Sequence, residues 1–283
     1  MKKLKSYQYE RYALLCQASY PTDFDHTAYG FNTEGHCLIR DLSGQVSIRV
    51  MWGEKREVVV VFRGTYHLTD WLTNLALFPV KRTYPGASYR VHWGYSRLLE
   101  QPSPLAKYAT EPSLLPPTPP GSQIVPRDHA EKERNVSVYE RLQQVLEPLI
   151  ADGKRITLTG HSSGGSMAIL AADRLERRYP TKVKRVITFG QPGTGTWSFK
   201  KQYLLHKRTY RICCDIDIVT FLPPIPGLYW HVGRMLWLHN DKIYENVSEH
   251  FRLVKSLTSW LMMPISYHDM GKYIRRKDFF DKH

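Results

Sequence analysis

The stretch between Lys154 and Gly190 constrains the fold more than any other: KRITLTG, HSSGG, SMAILAADRLERRYP and KVKRVITFG run in close succession. The first and last pieces read as strands, and the apolar positions between them repeat with a helical period. A strand, a helix and a strand with short connections imply parallel pairing and a right-handed crossover. YRICCDIDIVTF then reads as a further strand. At the first strand-to-helix turn lies Gly160-His161-Ser162-Ser163-Gly164, a G-x-S-x-G pattern. Such a turn forces its serine into a strained backbone conformation, and the flanking glycines avoid clashes with neighbouring chain. It leaves the hydroxyl at the positive end of a helix, with the next backbone N–H aimed at a developing oxyanion. The pattern alone is common. Its placement gives it weight, together with small Gly164, Gly165 and Ala168 where the helix must pack on a sheet.

Upstream, Tyr9, Ala13, Cys16 and Tyr20 are spaced as on a helix. HCLIRDL and QVSIRVMW read as strands, the second with Ile48, Val50 and Trp52 alternating against Ser47, Arg49 and Met51. EVVVVFRGT is a continuous apolar run, as in a strand buried on both faces. LTDWLTNLALF reads as a short amphipathic helix. Eight of the 18 prolines fall between Gln101 and Pro126, which excludes regular structure there and marks a surface loop or an active-site flap. Ser137 and Glu140 form a capping box for a helix with Val138, Leu142, Val145, Leu146, Leu149 and Ile150 on one face. Pro148 should distort its last turn and Gly153 end it. No repeat or linker divides the 283 residues, so the chain reads as one domain (1–283) with a proline-rich insertion at about 101–127.

Composition narrows the function classes. At 42% hydrophobic and 23% charged the chain is an ordinary folded protein, not a disordered one. Its four cysteines, two of them adjacent at Cys213 and Cys214, do not make a disulfide framework, and no C-x-x-C pair offers a structural zinc site. The N-terminal stretch is too polar for a signal peptide, and no apolar run is long enough to span a bilayer. The expected location is cytoplasmic or peripheral to a membrane, or outside the cell by a route without a cleaved leader. The formal charge of +14 suits an anionic partner such as acidic lipid headgroups. Nucleic acid is not expected, because the basic residues are dispersed and no binding motif occurs.

A serine nucleophile on such a turn needs an acid and then a histidine further along the chain. Asp215 and Asp217 both end the strand YRICCDID; two residues apart on a strand they share a side, so spacing leaves both open. Of the downstream histidines, the late His250 and His268 fit a base carried after the last strand.

With these pieces in order, the chain resembles the class 3 lipases, the fungal-type triacylglycerol lipases and related phospholipases. The likeness runs from about Val58 to Tyr273 through VVVVFRGT, DWLTNL, VHWGYSRLL, ITLTGHSSGGSMAILAA, VITFGQPGTG, DIVTFLPP with YWHVG, and YHDMGKY. It implies an α/β-hydrolase fold, a mostly parallel central sheet flanked by helices with a lid-like helix at LTDWLTNLALF. By the same resemblance the acid is Asp217 rather than Asp215, the base is His268, and His231 is a packing residue. Thr65 and the backbone N–H of Ser163 are the implied oxyanion donors. The chain departs from the family in Ser163, where leucine or a similar residue is usual, and in the length of the proline-rich segment, and it shows neither the leader nor the disulfides expected of secreted relatives.

The expected chemistry is hydrolysis of a carboxylic ester through an acyl-enzyme on Ser162, with no metal or organic cofactor. The resemblance implies acylglycerols or phospholipids as substrates, and the basic charge adds peripheral contact with an anionic membrane surface. Two other readings are a soluble esterase or thioesterase on small acyl compounds, and a non-catalytic lipid-binding protein on a hydrolase scaffold.

Overall fold

The computed structural model describes residues 3–21, 23–65, 78–109, 136–225, 227–256 and 264–281. The proposed lid-like helix and most of the proline-rich insertion lie outside the described residues. In chain order the elements are α1 (Ser6–Ala18), β1 (His36–Arg40), β2 (Ser47–Trp52), β3 (Glu57–Phe62), β4 (Pro79–Tyr84) and β5 (Ala87–His92). Next come α2 (Trp93–Leu99), β6 (Lys107–Tyr108), α3 (Val138–Ala151), β7 (Arg155–His161), α4 (Ser163–Arg178) and β8 (Val183–Phe189). The chain continues with α5 (Trp197–Gln202), β9 (Thr209–Cys214), β10 (Arg234–His239), β11 (Lys242–Glu245), α6 (Glu249–Ser256) and α7 (Met270–Ile274).

The main sheet runs β11-β10-β9-β8-β7-β3-β2-β1-β6. Its centre, β3 through β10, is parallel, and antiparallel strands flank it on both sides. Strand β3 shows why the apolar run is continuous. Val58, Val60 and Phe62 pack into one core layer, and Val59 and Val61 into the layer on the opposite face. Strand β2 is buried more fully than its alternation predicts, because helix α1 and the Phe24 region cover the second face. Met51 is fully buried there, and the Arg49 guanidinium sits 4.6 Å over the Phe24 ring while donating to the Pro21 carbonyl.

Helix α3 is capped at Ser137 and Glu140. Pro148 is accommodated without ending it, and the chain leaves through Gly153 at φ 79°. The C-terminal segment Lys272–Phe280 docks on α1. Phe280 stacks on Tyr9 at 4.3 Å between ring centroids, Lys277 pairs with Glu10 at 3.0 Å, and Arg276 pairs with Asp215. The tail therefore secures the end of the chain carrying His268.

Candidate active site

Strand β7 and helix α4 meet at Ser162, whose backbone sits at φ 57°, ψ −133°. A non-glycine residue with positive φ is strained and persists only where its surroundings over-determine it. Two glycines make the turn sterically feasible. A Cβ on Gly160 would lie 2.5 Å from the Gly164 backbone, and one on Gly164 only 2.3 Å from the Phe62 carbonyl oxygen. Ser162 N–H donates to the Phe189 carbonyl at 2.9 Å, which ties the turn to the neighbouring strand.

Asp217 lies just past the end of β9, fully buried. Its carboxylate accepts from His268 Nδ1 at 2.9 Å to each oxygen, from the Tyr273 hydroxyl at 2.5 Å, and from the Val219 N–H at 3.0 Å. Burial alone would push this carboxyl up. The charge on His268, its hydrogen bond and the Tyr273 hydroxyl outweigh that, and hold Asp217 below its ordinary value. On the far side of the imidazole, His268 Nε2 is buried and has no hydrogen-bond partner among the described residues; the same is true of Ser162 Oγ.

Asp215 takes a different course. Strand β9 ends at Cys214, and Asp215 turns at φ 39°. The two aspartates therefore do not share a side, contrary to the expectation of a continuing strand. Asp215 pairs with His239 Nδ1 at 2.9 Å and with Arg276. His250 is exposed on α6. His231 donates from Nε2 to the Thr220 carbonyl at 2.9 Å, and burial pushes it down to about 3.

Thr65 approaches Ser162 across Gly64, where a Cβ would lie 3.1 Å from the Ser162 Cβ. The Thr65 N–H donates to Ser163 Oγ at 3.1 Å, and the two hydroxyls are 2.9 Å apart, with either able to donate. The family's usual leucine could not make these contacts.

Three supporting residues escaped the sequence reading. His161, inside the G-x-S-x-G pattern, donates from Nε2 to the His268 carbonyl at 2.8 Å and accepts the Tyr20 hydroxyl at Nδ1, also at 2.8 Å. Its ring lies 4.4 Å from that of His268. Burial, and then the charge on His268, push His161 down to about 3, so it stays a neutral scaffold. Tyr273 marks only the end of the family likeness in the sequence, yet its hydroxyl bonds Asp217. Nothing at Tyr20 distinguishes it in the sequence, because its partner lies 141 residues away.

A buried hydroxyl on a strained turn, with a histidine oriented by a buried carboxylate, can form and hydrolyse an acyl-enzyme. Comparison with known proteins agrees with that chemistry. The family described as Lipase (class 3) matches residues 59–227.

The chain belongs to the class 3 lipase family.

Among its relatives is a secreted mono- and diacylglycerol lipase of Malassezia restricta, 27% identical over 215 residues, covering 75% of this chain and 67% of that protein. Phospholipase A1-IIbeta of Arabidopsis thaliana is 29% identical over 202 residues, covering 64% of this chain and 44% of the relative. The chain thus spans about two thirds of the fungal protein and less than half of the plant one. In fold it is similar to the lipase from Rhizopus microsporus var. chinensis, with a TM-score of 0.63 and 18% identity over 93% of this chain and 85% of that one. The fold is that of the α/β-hydrolases, and the family chemistry is serine ester hydrolysis.

Proposed function

We propose that this class 3 lipase cleaves acyl esters of glycerolipids with Ser162 as nucleophile, His268 as base and Asp217 as the acid that orients it. Ser162 Oγ attacks the ester carbonyl carbon as His268 Nε2 takes its proton. The carbonyl oxygen becomes an oxyanion received by the Ser163 backbone N–H and by Thr65. When the tetrahedral intermediate collapses, the alcohol leaves with the proton from His268. Water then attacks the acyl-enzyme, giving its proton to Nε2, and the fatty acid is released as Ser162 recovers its hydrogen. Asp217 keeps Nδ1 protonated throughout and stabilises the imidazolium. The observation that carries this reading is the pair of buried, unpartnered atoms Ser162 Oγ and His268 Nε2, with Nδ1 already committed to Asp217.

A lipid ester as substrate is supported by the relatives' activities and by the formal charge of +14. No helix among the described residues is long and apolar enough to cross a membrane. Contact with lipid is therefore peripheral in this reading, through surface cations attracted to anionic headgroups. The test is an interfacial assay with short-chain esters, triacylglycerol and anionic phospholipid vesicles. Activity should rise when a short-chain substrate passes from monomer to micelle and fall on vesicles as salt is raised. A rate indifferent to aggregation would favour an esterase of small soluble compounds.

A further inference from the structure

Beside the active site lies a cavity of about 630 Å³, within the range of small-molecule sites. It shares a wall with the acid-bearing segment. Thr220 and Phe221 line it, and the Thr220 hydroxyl donates to the Asp217 carbonyl at 2.7 Å. The ester-hydrolysis mechanism uses none of its lining side chains.

Its charge is unbalanced. Lys200 and Arg211 both line it, and Arg211 is only 5% exposed. The single lining carboxylate, Glu249, is divided between Arg211 at 3.3 Å and fully buried Arg252 at 2.8 Å. Lys200 has no ion-pair partner among the described residues; its ammonium rests 4.7 Å from the Trp230 ring centroid. Arg211 Nε is buried without an acceptor. Burial and the neighbouring charge of Arg211 push Lys200 below its ordinary value, as expected of two cations held close without enough anion. The histidines do not compensate. His206 is committed through both ring nitrogens, to the Lys200 carbonyl and the Gly233 N–H, and His231 is neutral. The remaining wall is apolar and aromatic, formed by Phe221, Leu222, Ile225, Tyr229 and Trp230.

We propose that this cavity binds the phosphate head of an anionic glycerophospholipid between Lys200 and Arg211, with the glycerol and first acyl carbons against Tyr229 and Trp230. A bare inorganic anion would leave the aromatic wall unused, and a neutral acylglycerol would leave Lys200 without an anion and Arg211 sharing one carboxylate with Arg252. The role in substrate choice rests on the glycerolipid-hydrolase reading; the binding itself does not. The site makes phospholipid the preferred substrate class over neutral acylglycerol.

The experiment uses the Ser162→Ala protein, so that ligand is not consumed, and isothermal titration with monomeric dihexanoyl phosphatidylglycerol, dihexanoylglycerol, inorganic phosphate and decanoate. Phosphatidylglycerol should bind tightest. Lys200→Met, which keeps the stem on Trp230 and removes the charge, should weaken its binding about tenfold, as expected for losing a charge-assisted contact. With Ser162 restored, Lys200→Met should lower the ratio of kcat/KM on phosphatidylglycerol to that on dihexanoylglycerol by a similar factor. Arg211→Gln, checked for folding by thermal melt, should act in the same direction. Unchanged phosphatidylglycerol binding in Lys200→Met would overturn the proposal. So would inorganic phosphate binding as tightly as the lipid, which marks a free-phosphate site, or decanoate binding more tightly, which marks a product site. If the protein with Ser162 intact hydrolysed neither lipid, the hydrolase reading would fall, while the isotherms would still decide the cavity.

Discussion

The turn proposed to carry the nucleophile and the arm proposed to carry acid and base are built in opposite ways. The turn is one contiguous piece: β7, Ser162 and α4 follow one another, and its geometry is set by local sterics at Gly160 and Gly164. The arm joins Asp217 to His268 across 51 residues, and is held by hydrogen bonds from still more distant segments at Tyr20, His161 and Tyr273. A local device is hard to disturb except by adding atoms to it. An assembled one can be disturbed by any side chain that orients the imidazole.

The largest effect expected lies in the arm. Asp217→Asn should reduce turnover by about 10³–10⁴, because an amide no longer holds Nδ1 protonated. Asp215→Asn should leave turnover nearly intact and lower thermal stability, since its carboxylate ties His239 and Arg276. Steady-state kinetics and melting curves on both variants check this, and the reverse ranking would move the acid to Asp215.

A smaller effect is expected at the turn. Ser163 Oγ accepts the Thr65 N–H and is hydrogen-bonded to the Thr65 hydroxyl. Ser163→Ala should release that loop and lower kcat about tenfold with little change in KM, below the roughly 10²–10³ typical of deleting an oxyanion donor outright. Ser163→Thr, which keeps the hydroxyl, should restore most of the rate. Equal kcat in Ser163→Ala and wild type would show that Thr65 needs no such support.

The two regions differ as sharply in how far the sequence revealed them. Alternating strand and helix, with glycines flanking Ser162, made the turn readable because strand, serine and helix are contiguous in the chain. The unbroken valines of β3 likewise revealed a strand covered on both faces. Asp215 and Asp217 could not be separated by spacing, because the decisive event is the end of β9 at Cys214 and the positive φ that follows. Family resemblance pointed to Asp217 where periodicity could not. The docking of the C-terminal run on α1 was not legible, because its partners Tyr9, Glu10 and Asp215 are remote in sequence. Tyr20 and His161 were invisible for the same reason.

The smallest effect, on stability rather than rate, comes from histidines kept neutral by burial. His161 and His231 are pushed down to about 3, and His36 and His92 to about 4. Below the ordinary histidine value of about 6.5 the unfolded chain takes up protons that the folded one refuses, so stability must fall with pH. Melting temperature should therefore be highest near neutrality and decline from pH 6.5 towards pH 4. A melting temperature that rises on acidification would show that the folded protein takes up protons the unfolded chain does not, and would contradict neutral burial of these imidazoles.

The central claim, that Ser162 is the nucleophile, is tested most directly by active-site labelling. A fluorophosphonate should phosphonylate the protein once, with loss of esterase activity in proportion to labelling. Mass spectrometry of the digested protein should place the adduct on Ser162 and leave the adjacent Ser163 unmodified. Ser162→Ala should fold, resist labelling and lose ester hydrolysis. An adduct on Ser163, or activity in Ser162→Ala within tenfold of wild type, would contradict the assignment.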